Sequence, residues 1–419
     1  MRVHCLAALL AVGTMLALSQ MRASAATQES VLYSFGGLDG AGPLSGIVQD
    51  GSGDFFGSTV FGGLRSNGAI FEISPGPAGY SESVLYSFRG RDDGEKPVGI
   101  VRDAEGDLFG FGAFGGAGGG GTVFELGARR VGGYRFRVLY SFGSDFDAFG
   151  PIGAPVLGKF GGLYGVTQGG GSAHAGIVFK LTPSGLTYNY STIYVFPGGT
   201  GGELPQAGLT SDRHGSIFGT TYYGGNLGGC LGGCGEVFEI TPKTSGFSER
   251  VLYRFQSNSD GENPFGALTV DPVTGDIYGT TEYGGTGRQR CGTVFRLAPQ
   301  GEGYVHTVLY NFNGGPDGCL PQSQIHIAPN GDLFGTAFSG GVGSGVVYEL
   351  LPTNGRYVHR TLYQFLGIGH GIYDGAEPEW TNLVTDQSGA LYGTTRAGGS
   401  HPQCNVGYPG CGTLFKIIP

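Results

Sequence analysis

The stretch GDIYGTTEYGGTGRQRCGTVFRLAP, residues 275–299, decides the fold. From Gly275 to Thr281 the residues alternate around an aromatic, and Gly284-Gly285 breaks the extended run. Beyond the break, Thr293, Phe295 and Leu297 fall on one face and Val294, Arg296 and Ala298 on the other, the period of two of a strand. Pro299 closes that strand because it cannot donate to a ladder. The unit is two strands joined by a glycine-rich loop, and copies of it recur along the whole chain.

Segments like VLYSF start at Val31, Val84, Val138, Thr192, Val251, Val308 and Thr361, at spacings of 53, 54, 54, 59, 57 and 53 residues. A repeat this regular governs every other reading. In the first copy four short strands are legible: VLYSF (31–35), SGIVQD (45–50), DFFGSTVF (54–61) and GAIFEISP (68–75). A tight turn at Gly53-Asp54 is echoed by Gly106-Asp107, Gly275-Asp276 and Gly331-Asp332. Short strands, Gly and Asp turns and no helical period predict an all-β chain. Seven four-stranded units predict a seven-bladed β-propeller of antiparallel blades. The final strand, CGTLFKIIP, has no VLYSF segment after it, and the first, ESVLYSF, has no strand before it. Val31–Phe35 is therefore expected to close the seventh blade as its outermost strand, against Thr413–Ile418.

The first 25 residues read as a signal peptide, with Arg2, an apolar stretch from Leu6 to Leu18, and Ala23-Ser24-Ala25. The apolar stretch is too short for a membrane span. Residues 26–419 are then expected to form one propeller domain that is secreted, periplasmic or at the cell surface. Loss of Arg2 and Arg22 takes the formal charge from −9 to −11, and without a basic footprint no nucleic-acid partner is expected. Glycine fills 87 of 419 positions, about three times its usual share. The 39% of hydrophobic residues at strand spacing nevertheless point to a packed core.

Six cysteines remain beyond Cys5, an even number that suits an oxidising compartment. Cys230 and Cys234 flank a short turn, Cys404 and Cys411 bracket a loop, and Cys291 and Cys319 sit in loops that a propeller places on one face. Disulfides 230–234, 291–319 and 404–411 are expected. The rival is a thiolate zinc site, which the irregular spacing disfavours.

The pattern carried by GSIFGTTYYGG with CGEVFEITP, GDIYGTTEYGG with CGTVFRLAP, and ALYGTTRAGG with CGTLFKIIP resembles the GloVer tandem repeat of exported bacterial proteins of the choice-of-anchor type. The resemblance runs from Val31 to Pro419. It implies a repeat domain at the cell surface and assigns no reaction. The terminal Ile418-Pro419 carries no apolar tail, so release or periplasmic retention is expected rather than anchoring.

No nucleophile elbow, paired-histidine metal motif, P-loop or EF-hand loop is present. No catalytic residue, cofactor or metal is therefore expected. His174, His214, His306, His359, His370 and His401 read as turn, loop or strand-start residues at unrelated repeat positions. His326 stands apart, in the strand where other copies carry Val48, Thr210 or Thr269. It is either a channel-facing imidazole or, on the plainer reading, an inner-strand histidine bonded to a neighbour. An acid opens the turn before the second strand in six copies: Asp39, Asp93, Asp147, Asp260, Asp317 and Asp374, with Gly201 in the fourth. One per blade, these carboxylates are too far apart to share an ion, and the D-x-x-x-P spacing suits an aspartate capping its own turn. A charge recurs in the fourth strand of each copy at Glu72, Glu125, Lys180, Glu239, Arg296, Glu349 and Lys416, where it is expected to face water or pair across a blade boundary. The Tyr222-Tyr223 pair is a candidate for stacking on a sugar, against the plainer reading of blade packing.

The expected function is a non-enzymatic exported binding or interaction module, monomeric, taking an extracellular glycan or protein on the face that bears the glycine-rich loops and Asp turns. A lyase or glycan hydrolase at the channel mouth is the enzymatic rival, and a purely structural surface protein is the third reading. A cluster of unlike polar residues that breaks the seven-fold pattern would separate them, and fold alone does not.

Overall fold

The computed structural model describes residues 27–129, 132–143, 148–225, 228–257, 259–367, 374–401, 404 and 409–419. The expected signal peptide, Asp147 and His370 lie outside these residues. Seven antiparallel blades form a ring, and the only helical pieces among the described residues are four single 3-10 turns. The middle two strands of a blade, such as Ile277–Tyr283 and Thr293–Gln300 of the fifth, are buried on both faces because neighbouring blades cover them. The outermost strand, here Gly303–Asn311, is only half covered.

Ring closure follows the sequence. Gln28–Ser34 pairs antiparallel with Thr413–Ile418, Gln28 opposite Ile418 and Ser34 opposite Thr413, with a bulge between Val31 and Tyr33. The innermost strand is shorter than the expected 45–50, covering only Val48–Gln49 in the first blade. Here the chain converges on the channel: a Cβ on Gly46 would lie 2.8 Å from the backbone nitrogen of Asn382 in the seventh blade.

The repeat's fixed letters build the seams between blades. The phenylalanine ending each VLYSF copy meets a ring of the next blade's third strand: Phe35 with Phe71, Phe88 with Phe124, Phe255 with Phe295, Phe365 with Phe415, at centroid distances of 5.0–5.2 Å. Those rings lie over the glycine of the second strand. A Cβ on Gly57, Gly219 or Gly279 would come within 2.4–2.5 Å of Phe71, Phe238 or Phe295, so the motif needs glycine there for space. The first hydroxyl of the T-T pair bonds the next blade's backbone in the fifth and seventh blades, Thr280 to the Ser323 carbonyl and Thr394 to that of Ser45, each at 3.3 Å, and Thr336 does the same in the sixth with the Pro378 carbonyl at 2.9 Å. The second bonds two residues ahead and turns the chain, as Thr221 to the Tyr223 carbonyl at 2.9 Å and Thr281 to that of Tyr283 at 3.0 Å.

In three copies the recurrent charge neither faces water nor pairs across a blade boundary, the two outcomes expected of it. Glu125 pairs with Arg137, Glu239 with Arg250 and Glu349 with Arg360, each directly opposite on the next strand of its own blade. Register brings these partners together inside a blade, whereas aromatic rings fill the boundary. Lys180 and Lys416 lie instead over the rings of Tyr164 and Tyr392.

Candidate functional site: the mouth of the central channel

The turn aspartates do not converge. Asp93 accepts hydrogen bonds from the Tyr86 hydroxyl at 2.6 Å and the Arg89 N–H, and Asp260 from Tyr253 at 2.7 Å and the Gln256 N–H. Asp317 takes the Tyr310 hydroxyl and the Asn313 N–H, Asp374 the Tyr363 hydroxyl and the Leu366 N–H, and Asp39 the Tyr33 hydroxyl and the Gly36 N–H. Each ties its own corner to the tyrosine of VLYSF. In the fourth unit, where Gly201 replaces the acid, Tyr194 bonds Glu249 instead.

Each of these tyrosines faces one residue of the neighbouring outermost strand, and here the blades differ. Phe136 stacks on Tyr86 at 3.9 Å and Tyr190 on Tyr140 at 4.2 Å, but His306 stacks on Tyr253 at 4.1 Å and His359 on Tyr310 at 4.6 Å. These histidines therefore share one repeat position, two before Val308 and Thr361, contrary to the sequence expectation. The signal was present but is lost when histidines are compared by neighbours instead of by offset within the repeat. Burial pulls His306 down to about 4, with Asp260 opposing, and pushes Glu82, at the same offset, up to about 7 with help from Asp39.

A histidine lowered on folding contributes stability that is present above its unfolded value near 6.5 and lost as pH falls toward 4. A carboxyl raised on folding contributes stability that is present below about 4.5 and lost as pH rises through 7. His306→Phe, copying the second blade, is expected to retain about 1–2 kcal/mol at pH 4.5 that the parent loses relative to pH 7.5. Glu82→Gln is expected to gain a similar amount at pH 8. Thermal melts of the three proteins across that range check both signs.

The Cys230–Cys234, Cys291–Cys319 and Cys404–Cys411 disulfides are formed. His326 is half-buried, with Nε2 3.2 Å from the Thr385 hydroxyl, and burial lowers its pKa. It lines a hollow that shares Gln324 and Asn382 with the channel cavity.

The channel cavity, of about 130 Å³, is lined by residues of all seven blades. Five residues that follow a turn proline stand in its wall, Val98, Ile152, Gln206, Phe265 and Gln322, and residues that follow T-T neighbour them, as Gln168 does Gln206, Tyr222 does Phe265 and Glu282 does Gln322. In the first three blades these are mostly apolar, Leu44, Val60, Val98, Ala113 and Ile152, and they join one core cluster. From Gln168 onward they turn polar or aromatic: Gln206, Tyr222, Phe265, Glu282, Gln322, Glu379 and Arg396. Gln168 donates to Gln206 at 2.6 Å. The Tyr222 hydroxyl and the Gln322 amide donate to the two oxygens of Glu282 at 2.7 and 2.9 Å. Arg396 pairs with Glu379, with Glu377 3.9 Å away. Burial raises the carboxyls of Glu282 and Glu379.

The seventh blade adds one residue at the mouth. Between the turn proline and the buried hydroxyl of its inner strand, Ser45 and Ser323 stand two residues on, but Thr381 three. The extra residue is Trp380, the chain's single tryptophan, held at φ +50°. A left-handed tryptophan costs about 1 kcal/mol or more. It packs against the apolar half, and its ring lies 5.5 Å from that of Phe265.

Of the residues singled out in the sequence, Tyr222 is brought into this cluster; Tyr223 stands edge-on beside it at 4.8 Å. Gln206, Phe265, Glu282, Gln322, Glu379, Trp380, Asn382 and Arg396 were missed. Superposing the seven copies and asking which offset varies most would have found them.

A family profile described as Gloeobacter/Verrucomicrobia repeat matches residues 17–232 and 227–419. No curated protein matches the chain. Among solved structures, an ulvan lyase bound to -[GlcA(1-4)Rha3S]- is 11% identical, covering 92% of this chain and 95% of that one at a TM-score of 0.51. The extracellular domain of a protein described as a one component system, from B. thetaiotaomicron, is 12% identical over 92% of this chain and 39% of its own, at 0.53. A protein described as a 6-phosphogluconolactonase, from Bacteroides uniformis ATCC 8492, is 14% identical over 75% and 83%, at 0.50. At these identities the likeness is one of fold. Among the described residues no helix is long and apolar enough to cross a membrane.

Proposed function

Since the chain belongs to the Gloeobacter/Verrucomicrobia repeat family, we propose that it is an exported, non-enzymatic binding module that holds its ligand at the mixed mouth of the central channel. The observation that carries this reading is the break in seven-fold order. The fixed letters of the repeat go to blade seams, while the two mouth positions change from blade to blade and turn polar on one side only. A structural ring needs no such asymmetry, and a left-handed tryptophan in one blade is a local cost that binding would justify.

Binding is preferred to chemistry because the mouth's acids are engaged. Both oxygens of Glu282 accept hydrogen bonds, and Glu379 is held by Arg396, so neither is free to move a proton. The enzymatic rival draws on the raised carboxyl of Glu282 beside the Tyr222 phenol and on the fold shared with the ulvan lyase. Export is proposed through cleavage after Ala25, and three disulfides favour an oxidising compartment. Trp380, as the single tryptophan, reports on the site. Titrating the mature protein with glycan and small-molecule libraries is expected to give a saturable, reversible change in its emission, with the ligand recovered unaltered by chromatography. Recovery of a cleaved product would replace binding by catalysis. A ligand that binds without disturbing Trp380 would move the site elsewhere.

A further inference from the structure

We infer that pH gates the closure of the ring, through facing carboxyls set in the two seams that border the closing strand Gln28–Ser34. Each VLYSF tyrosine shares its seam with the turn position that follows it and with the residue two before the next VLYSF copy. In the second, fifth and sixth units the turn holds an aspartate and the facing residue is a ring: Phe136 by Asp93, His306 by Asp260 and His359 by Asp317. In the fourth unit the facing residue is Glu249, but there Gly201 replaces the aspartate and Arg254 stands near. Among the described residues, only the seams of the closing strand set a glutamate and an aspartate on one tyrosine. They are Glu29 and Asp374 at Tyr363, and Glu82 and Asp39 at Tyr33.

A tyrosine hydroxyl has one proton to donate. Tyr363 gives it to Asp374 at 3.0 Å and Tyr33 to Asp39 at 2.5 Å, so each glutamate faces a hydroxyl whose proton is spent. Oε1 of Glu29 and Oε1 of Glu82 are buried without a hydrogen-bond partner, a setting far less costly for a carboxylic acid than for a carboxylate. Asp374 and Tyr363 act on Glu29, Asp39 and Tyr33 act on Glu82, and among the described residues no cation pairs with either. Across the ladders stand Ile417 and Ile73, while Lys416 lies over the Tyr392 ring and exposed His401 approaches Gly36 beside Asp39. Burial first, and the facing aspartate second, push both glutamates up to about 7. Raised above the unfolded value near 4.5, they stabilise the closed seams fully below that pH and release them as pH rises through 7. Even halved for solvent screening, such a rise shifts closure by more than about ten-fold for each carboxyl. Because both seams border one strand, ionisation frees Gln28–Ser34 and bares Thr413–Ile418 while the other blades stay packed.

The test is hydrogen exchange of the mature protein, read by mass spectrometry as protection relative to unfolded peptides at the same pH. From about pH 6 to about pH 8.5, protection of Gln28–Ser34 is expected to fall about ten-fold or more. Tyr134–Ser141 and Gly303–Asn311, whose seams are stacked rings, are expected to stay within about two-fold over the same range. Glu29→Gln and Glu82→Gln together keep the shape and remove both ionisations, and are expected to abolish the fall; each alone is expected to reduce it. Should the double variant fail to fold, Phe136→Glu sets a glutamate against Tyr86 and Asp93 and is expected to extend the same fall to Tyr134–Ser141. A parent protein whose Gln28–Ser34 stays protected at the higher pH overturns the gate. So does an equal loss of protection in all three strands, and so does a double variant that keeps the fall.

Discussion

Without residues 28–36 the ring is expected to open and the protein to aggregate. The deletion removes the whole Gln28–Ser34 ladder with Thr413–Ile418, the Phe35 N–H bond to the Gly412 carbonyl at 3.1 Å, and the Phe35–Phe71 contact that joins the seventh blade to the first. Phe35 is fully buried, so its loss alone costs roughly 3 kcal/mol or more. The exposed edge of Thr413–Ile418 is a template for pairing with another chain. The total exceeds about 5 kcal/mol, a large share of the ~5–15 kcal/mol that stabilises a domain. Light scattering after gel filtration should find oligomers, and the melting temperature should fall by about six degrees or more. Adding a synthetic peptide of residues 27–36 should restore the monomer. A truncated protein that stays monomeric with its melting point unchanged would remove the closure strand from the account of stability.

Gly279→Ala is expected to destabilise by about 3 kcal/mol, a large effect for one methyl group. The added Cβ would stand 2.5 Å from Phe295 Cζ and 2.8 Å from Leu268 Cδ2, and both neighbours are buried. The backbone there has ordinary dihedrals, so the cost is steric. Gly303→Ala is the control. Its Cβ would meet only the Gln300 carbonyl at 3.8 Å, and a change within about 0.5 kcal/mol is expected by urea denaturation. Gly279→Ala combined with Phe295→Leu should recover part of the loss, because the smaller side chain vacates the space the methyl needs. Equal stability of the two single variants would contradict the seam as described.

Much of this molecule was legible because its order is periodic. The strands around Phe55, Tyr278 and Leu391, the turn aspartates and the closing partnership of Val31 with the chain's end all follow from letters recurring at fixed offsets. Even the Cys291–Cys319 pairing, across two copies, needed only the face on which a propeller's loops emerge. The channel mouth was not legible for the converse reason. Gln206, Phe265, Gln322 and Glu379 each follow a turn proline, and Tyr222, Glu282 and Arg396 each follow T-T. Taken one at a time they are loop residues with no motif. They become a site only when the ring brings distant copies together, as when Tyr222 reaches Glu282 sixty residues away. Trp380 is an insertion, and a search for regularity discounts it. The within-blade ion pairs were missed because register, which sets Glu125 opposite Arg137, is weakly written in alternation alone.

The closure strand also orders events in time. A ribosome makes Val31 nearly four hundred residues before Phe415, its partner. Six blades can complete themselves as they emerge, each from neighbouring sequence, but the seventh waits for Thr413–Ile418. Until then the chain is an arc with two bare edges. A product cut short by premature termination or proteolysis lacks Thr413–Ile418 and can never become a ring. Joining Gln28–Ser34 to Thr413–Ile418 thus makes the closed ring itself a test that synthesis has passed Ile418.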